Sequence, residues 1–363
     1  MTTKEEMFRL LEKFCSLVSV SGFEDEMRQA VVEELRTSAD EVRIDSMGNV
    51  IALKKGGGEG KLMIAAHMDE IGLMIRGVDE KGFLRFVPVG GWSERILPGQ
   101  RVLIKTEKGP IRGVIGSKPP HLRKPEEEKK VISMDELFID VGASSRKEVE
   151  EMGITVGSVA VLDRAVVKLG SSDVVSGRAF DDKIGLAVML EAFKEAGPKV
   201  DLYAVATVQE EVGLKGARTA AFSIGPDVAL ALDVTIAADV PGVEETKQVT
   251  KVGKGPAIKV MDGRGGSGLI AHPAVRRLLV EVATGEGIPY QLEVLPGGTT
   301  DASAIQLTRE GIPAGAVSVP TRYVHSPVEV ISLSDAVNSV KLVKAFAESL
   351  DRDWMSSNLS RTV

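Results

Sequence analysis

A single cysteine, Cys15, rules out any disulfide within the chain, and with it the small disulfide-stapled scaffolds. A reducing, cytoplasmic setting is expected on that ground. No run of about 18 apolar residues occurs, so no membrane-spanning helix is expected. The first residues, MTTKEEMFRLLEKFCSLVSV, have neither the basic start nor the apolar block of a secretory leader, and repeat apolar residues at helical spacing instead. An excess of positive charge is missing too. The formal net charge of −7 argues against nucleic acid or an anionic membrane surface as the main partner. There is no internal repeat and no low-complexity tract. What is present, 43% hydrophobic and 27% charged over 363 residues, suffices for one large core and a second, smaller unit. Histidine is scarce enough, at four, for each to be weighed singly.

Residues 4–18 and 24–38 read as helices, and EVRIDSMGNVIALKKG as a hairpin turning at Gly48-Asn49. KLMIAAHMDEIG is an apolar strand that ends in His67 and Asp69. From about residue 72 short alternating segments divided by Gly and Pro predict a small all-β module, with 118–130 as a mobile charged loop. Near residue 165 strands alternate with helices again: DDKIGLAVMLEAFKEAG, HPAVRRLLVEVATGEG, DASAIQLTREG and SDAVNSVKLVKAFAESL are helical, with apolar strands between them. The pattern predicts an α/β fold with a mixed, mostly parallel sheet flanked by helices, into which the 72–163 stretch is inserted.

Glu210 and Glu211 pose the functional question. Two adjacent carboxylates follow an apolar strand, and burying them requires a positive partner. Acids and imidazoles recur at or just past strand ends: His67 and Asp69, Asp181 and Asp182, Glu210 and Glu211, Asp233, His325. In an open parallel sheet such ends share one edge, where ligands bind. Taken alone, each has an ordinary reading. A strand-end histidine is more often structural, an Asp before a helix is usually an N-cap, and the Glu pair suits a solvated loop. Together they suit zinc, cobalt or manganese, whose charge would offset the carboxylates.

The blocks HMDEIG, AFDDKIG, TVQEEVGLKGA, ALDVTIAAD, GGTTDA and RYVHS, in this order, resemble metallopeptidase family 42, whose archaeal members are the tetrahedral (TET) aminopeptidases. The resemblance covers nearly the whole chain. It implies a zinc-exopeptidase-like catalytic domain of residues 1–71 and 164–363 and an inserted small β-barrel (PDZ-like) domain, 72–163, that makes dimer contacts. It implies two divalent ions per subunit, Zn2+ or Co2+, bridged by Asp181. His67 and Glu211 would complete one ion's ligands, and Asp233 and His325 the other's. Glu210 would be the general base, serving metal-bridged hydroxide attack on the peptide carbonyl, and Asp69 would orient His67. A cis peptide bond between 181 and 182 is also implied. The expected activity is removal of N-terminal residues, neutral and aliphatic ones such as leucine, from short unfolded peptides. The expected assembly is a tetrahedral homododecamer of dimers. A di-metal deacylase on the same scaffold and a silent peptide-binding scaffold are the alternatives. A free α-amine requirement separates the first, and the retained Glu210 speaks against the second.

Smaller features stay open. Asp301, in the Gly297–Asp301 stretch, is a helix cap or a substrate-side residue. Arg322 and Tyr323 shape the pocket or only pack. His121 sits in the insert loop, solvated or reaching a neighbouring subunit, and His272 before Pro273 reads as a cap or surface residue. Cys15 reads as core. The segment 261–270 lacks the P-loop ending and reads as a flexible loop.

Overall fold

The computed structural model describes residues 1–122, 130–170 and 173–359. The first helix, Lys4–Cys15, starts on a capping box: the Thr3 hydroxyl accepts from the Glu6 amide while the Glu6 carboxylate accepts from the Thr3 amide. It buries Met7, Leu11, Phe14 and Cys15 on one stripe. Helix Asp25–Leu35 follows, then strands β1 (Glu41–Ile44), β2 (Val50–Lys54) and β3 (Lys61–His67). The next six strands are β4 (Gly72–Val78), β5 (Leu84–Val89), β6 (Arg101–Ile104), β7 (Ile111–Gly116), β8 (Phe138–Asp140) and β9 (Val159–Leu162). They close into an antiparallel barrel in the order β4-β5-β8-β7-β6-β9. Closure removes open edges. The barrel has its own core, built on Leu73, Ile75, Phe86, Val102, Ile104 and Ile139. Of the loop expected to be mobile, 123–129 lies outside the described residues.

The chain then returns through β10 (Val167–Lys168), β11 (Val174–Gly177), helix Phe180–Glu195, β12 (Asp201–Thr207), helix Lys215–Ile224, β13 (Val228–Ile236) and β14 (Ala257–Met261). Helix Pro273–Gly285, β15 (Gln291–Val294), the short helix Asp301–Ile305, β16 (Ala314–Thr321), β17 (Glu329–Ser332) and helices Leu333–Ser349 and Arg352–Leu359 complete it. Eight strands form the main sheet in the order β1-β2-β12-β3-β13-β16-β14-β15. Its middle, β12-β3-β13-β16, is parallel. The hairpin joins antiparallel on one side and β14 antiparallel on the other, so the sheet is mixed. The chain reaches β14 through 237–256 without an α-helix, and a helical crossover is what normally makes neighbouring strands parallel. Helices Lys4–Cys15, Phe180–Glu195 and Leu333–Ser349 cover one face in the largest apolar cluster, and Lys215–Ile224 covers the other. Among the described residues no helix is long and apolar enough to cross a membrane.

A buried ionic cluster ties three segments beneath the carboxyl edge of β3. Arg178 pairs with Glu70 through Nη1 and donates to the Leu17 carbonyl at 2.8 Å. Lys183, fully buried, donates to Ser19 Oγ and to the Met68 carbonyl, the latter at 2.6 Å. Removing one member of such a set leaves a buried charge without its partner. Arg178→Met is therefore expected to cost about 3–5 kcal/mol of stability, read as a lowered urea midpoint at unchanged slope. A loss under about 1 kcal/mol would mean that Lys183 alone suffices for Glu70.

Candidate metal centre

Parallel register brings the site together. His67 pairs with Thr207 across β3 and β12, and Ala65 pairs with Ala231 across β3 and β13. Asp233, two residues beyond Ala231, is thus level with His67, while Glu210 and Glu211 follow the end of β12. Asp181 opens helix Phe180–Glu195, and its peptide bond to Asp182 is cis. His325 comes from the loop between β16 and β17. Ala179, Gln209, Tyr323 and His325 all hold positive φ, a conformation that side chains rarely adopt unless surrounding structure imposes it.

Among the described residues two groups of donors result: His67 with Asp181 and Asp233, and Asp181 with Glu211 and His325. Asp181 faces both. Its Oδ1 is 3.1 Å from His67 Nε2, and its Oδ2 is 3.3 Å from His325 Nε2. Asp233 Oδ1 is 3.9 Å from His67 Nε2, and Glu211 Oε2 is 3.4 Å from His325 Nε2. This corrects the expected partition: His67 groups with Asp233 rather than Glu211, and His325 with Glu211 rather than Asp233. The cause is strand order, since β13 lies directly beside β3 whereas Glu211 has left the sheet. Glu210 Oε2 is 4.0 Å from His67 Nε2 and belongs to neither group.

Asp69 is placed differently from its expected role. The Nδ1 of His67 bonds the backbone carbonyl of Asp69 at 3.0 Å, while the Asp69 carboxylate stands 3.6 Å away, beyond good hydrogen-bond range. That carboxylate accepts the amide of Glu210 at 2.9 Å, the amide of Glu211 at 3.2 Å and the hydroxyl of Ser21 at 2.6 Å. It therefore fixes the turn that carries both glutamates. Asp69→Asn replaces one acceptor oxygen by a donor. It is expected to weaken metal binding by about 10–100-fold, read by titrating metal into chelated protein.

One buried acid at the site, Glu329, was not singled out from the sequence. Glu329 accepts the amides of Asp181 (3.1 Å) and His325 (2.9 Å), holding the aspartate shared by both groups and the histidine of one of them. The pairing of Gly177 with Glu329 across β11 and β17 sets it there. Asp182 caps its helix by accepting from Gly185 at 3.0 Å, which answers which of the two aspartates is the cap. Thr300, not Asp301, caps the short helix; Asp301 instead accepts from Thr207 at 2.6 Å, and its Oδ1 is buried without a partner among the described residues. Arg322 grips Asp239 through two bonds of 2.8 and 2.6 Å, so it packs a loop, while Tyr323 is exposed. His121 is exposed, His272 half-buried before Pro273, and Cys15 buried in the core. Gly91, just past β5, approaches His325 so closely that a Cβ there would lie 3.1 Å from its Nδ1.

The electrostatics call for cations. Burial, followed by the nearby acids Asp233, Asp301 and Glu211, pushes the Glu210 carboxyl well above its usual range, with His67 opposing. Burial and Asp181 do the same to Asp233, and burial holds Asp301 up at about 6. Burial disfavours both imidazolium ions, yet the surrounding carboxylates outweigh it. His67 is held well above its usual value by Glu210, Asp181 and Asp69, and His325 at about 11 by Asp181 and Glu211. The Oε1 of Glu211 is buried with no hydrogen-bond partner among the described residues. Crowded carboxylates, two imidazoles and an orphaned oxygen fit divalent ions of borderline softness.

Known proteins resemble the chain along its length. An aminopeptidase of the archaeon Desulfurococcus kamchatkensis is 51% identical, with a TM-score of 0.96 over 99% of both chains. The TET1 peptidase of Pyrococcus horikoshii is 37% identical, with a TM-score of 0.85 over 95% of this chain and 100% of that one. The lysyl aminopeptidase of Pyrococcus furiosus is 42% identical over 347 residues, 94% of this chain and 97% of the relative. Fold and relatives together define an aminopeptidase, a hydrolase of peptide bonds. The chain belongs to the M42 glutamyl aminopeptidase family, whose model matches residues 48–342.

Proposed function

We propose that this chain is a cytoplasmic di-metal aminopeptidase that removes N-terminal residues, neutral and aliphatic ones such as leucine foremost, from short unfolded peptides. One observation carries the two-metal reading: the two oxygens of Asp181 face two separate donor groups, each with its own imidazole. His67, Asp181 and Asp233 would hold one divalent ion, zinc or cobalt, and Asp181, Glu211 and His325 the other. Bound there, such ions supply an acidified water and a polarised carbonyl.

The chain's own residues do the rest. Glu210 stays outside both donor groups, so its carboxylate is free to take a proton from the attacking water and return it to the departing amine nitrogen. Asp69 fixes its backbone, which aims the base. Asp181 also stands beside His67 and His325, which keep its carboxyl well below the usual range against the effect of burial, and hence ionised. A cleft of about 540 Å³ opens onto these groups, with Leu214, Ile236, Leu295 and Val324 among its walls, and suits an apolar first side chain.

The relatives carry different substrate names, lysyl in one and glutamyl in another from Lactococcus lactis, so family alone does not fix that side chain. The Pyrococcus horikoshii TET1 peptidase is described as assembling into a tetrahedron or a large octahedral shell. We extend this to a tetrahedral homododecamer in which the inserted domain, residues 72–163, makes the dimer contacts and the shell admits only unfolded peptides. The test is a comparison of leucine p-nitroanilide with its N-acetyl derivative on metal-loaded enzyme. Release of p-nitroaniline from the free amine alone supports the aminopeptidase; release of acetate from the N-acetyl derivative, with leucine p-nitroanilide left uncleaved, makes the chain a deacylase.

A further inference from the structure

One polar cluster beside the cleft has no part in either donor group. Lys259 of β14 and Glu293 of β15 are opposite each other in register, and their side chains are 1% and 0% exposed. Lys259 Nζ donates to Glu293 Oε2 at 3.0 Å and lies 3.4 Å from Thr235 Oγ1, while the Thr235 hydroxyl donates to Glu293 Oε1. Both carboxylate oxygens are thus satisfied, and the pair carries no net charge. Lys259 and Thr235 line the cleft that contains Asp181, Glu210, Glu211, Asp233 and His325. Thr235 follows Asp233 by two residues on β13, on the same face and about 6–7 Å farther along the strand. A substrate side chain extending from a carbonyl held at Asp233 would travel about that distance before meeting the triad. Lys259 also acts on Asp233 directly, its charge working to lower that carboxyl's pKa.

We propose that Lys259 and Glu293 are the specificity-determining residues of this enzyme, a mutually cancelling charge pair that makes the first-residue pocket neutral. The inference rests on the aminopeptidase reading and adds the residues that set its substrate class. A glutamate or aspartate side chain entering the pocket meets a lysine already committed to Glu293. A lysine or arginine side chain meets the Lys259 ammonium, while Glu293, fully buried behind it, is already committed to Lys259 and Thr235. Either would be desolvated without compensation, whereas leucine or methionine meets apolar walls and gives up no hydrogen bonds. Discrimination therefore comes from occupied partners rather than from missing charge. Breaking the pair from either side should expose the other member, and the two changes should shift preference in opposite directions.

The experiment uses leucine, glutamate and lysine p-nitroanilides on the metal-loaded full chain, with metal content measured for every variant. The ratio of kcat/KM values between substrates is the readout, so that a general effect of Lys259 on the metal centre cancels. Wild type is expected to favour leucine over glutamate and lysine by at least about tenfold. Glu293→Gln should raise the glutamate-to-leucine ratio by about tenfold or more, and Lys259→Met should raise the lysine-to-leucine ratio by a similar factor. The double variant, again uncharged, should return both ratios to within about threefold of wild type. Ratios moving less than about twofold in metal-replete single variants would overturn the proposal, as would a wild type that favours glutamate or lysine. If one single variant is insoluble, the other still decides it through its own ratio, and the double variant serves only as the cancellation control. If the wild type cleaves no free-amine substrate at all, the aminopeptidase reading itself falls, and this proposal with it.

Discussion

Glu210→Gln is expected to lower kcat on leucine p-nitroanilide by about 10²–10⁴-fold while metal content and KM stay close to wild type. Glutamine keeps the size and polarity of the side chain but cannot accept a proton. Because Glu210 lies outside both donor groups, its loss should not empty them. The neighbouring change is the control: Glu211→Gln should weaken metal binding, since Glu211 stands among the donors around His325. The adjacent glutamates would then be separated by two different readouts, rate for one and metal content for the other. Full activity in Glu210→Gln would remove Glu210 from the role of base.

Chelation is expected to abolish activity and to lower the thermal midpoint, in a way that depends on pH. An ion that binds only the folded chain at a thousand times its Kd contributes about 4 kcal/mol of stability, which is lost on its removal. The stripped site then retains its crowded acids. Asp301, held by burial at about 6 against an ordinary 3.8, takes up a proton in the folded chain more readily than in the unfolded one. Its penalty is complete above about pH 6 and is relieved as pH falls toward 3.8. His325, held at about 11, contributes stability that is complete below about 6.5 and is lost as pH rises toward 11. Both slopes have the same sign. Metal-free protein should therefore become more stable as pH is lowered from about 8 to about 5.5, whereas metal affinity should weaken over the same range because protons and cations compete for the same oxygens. Differential scanning calorimetry of loaded and chelated protein across that range checks both. A chelated form that lost stability steadily on acidification would contradict the charge picture of the site.

Much of the centre could be read from the sequence because its residues sit at the ends of recognisable strands or in compact blocks. His67 closes β3, Asp233 lies on β13, and the two glutamates follow β12. What could not be read was anything that depends on which strand lies beside which. The partner of His67 was misassigned because adjacency of β13 to β3 is a property of sheet order. Glu329 was missed because β17, four residues long, offers little periodic signal and reaches Asp181 only through a small separate sheet. The strand Ala257–Met261 was missed for a related reason: a lysine at its centre breaks the apolar pattern, and only the buried glutamate on the next strand makes that lysine acceptable inside. The bonds of Asp69 to the amides of Glu210 and Glu211 were beyond reach for the same reason, since they join segments far apart in the chain.

The contact between Gly91 and His325 bears on how this enzyme can be re-engineered. The barrel has a core of its own, which invites its replacement by the equivalent module of a relative as a way of changing the assembly. Yet the segment leaving β5 rests against an imidazole, at a spot where any side chain beyond hydrogen would meet the ring. A transplanted barrel that brings a side chain to that position is expected to push the His325 ring by a few tenths of an ångström, which a change in metal affinity would report. The module is thus no freely exchangeable accessory, since the segment leaving β5 reaches the ring of His325 in the larger body of the chain.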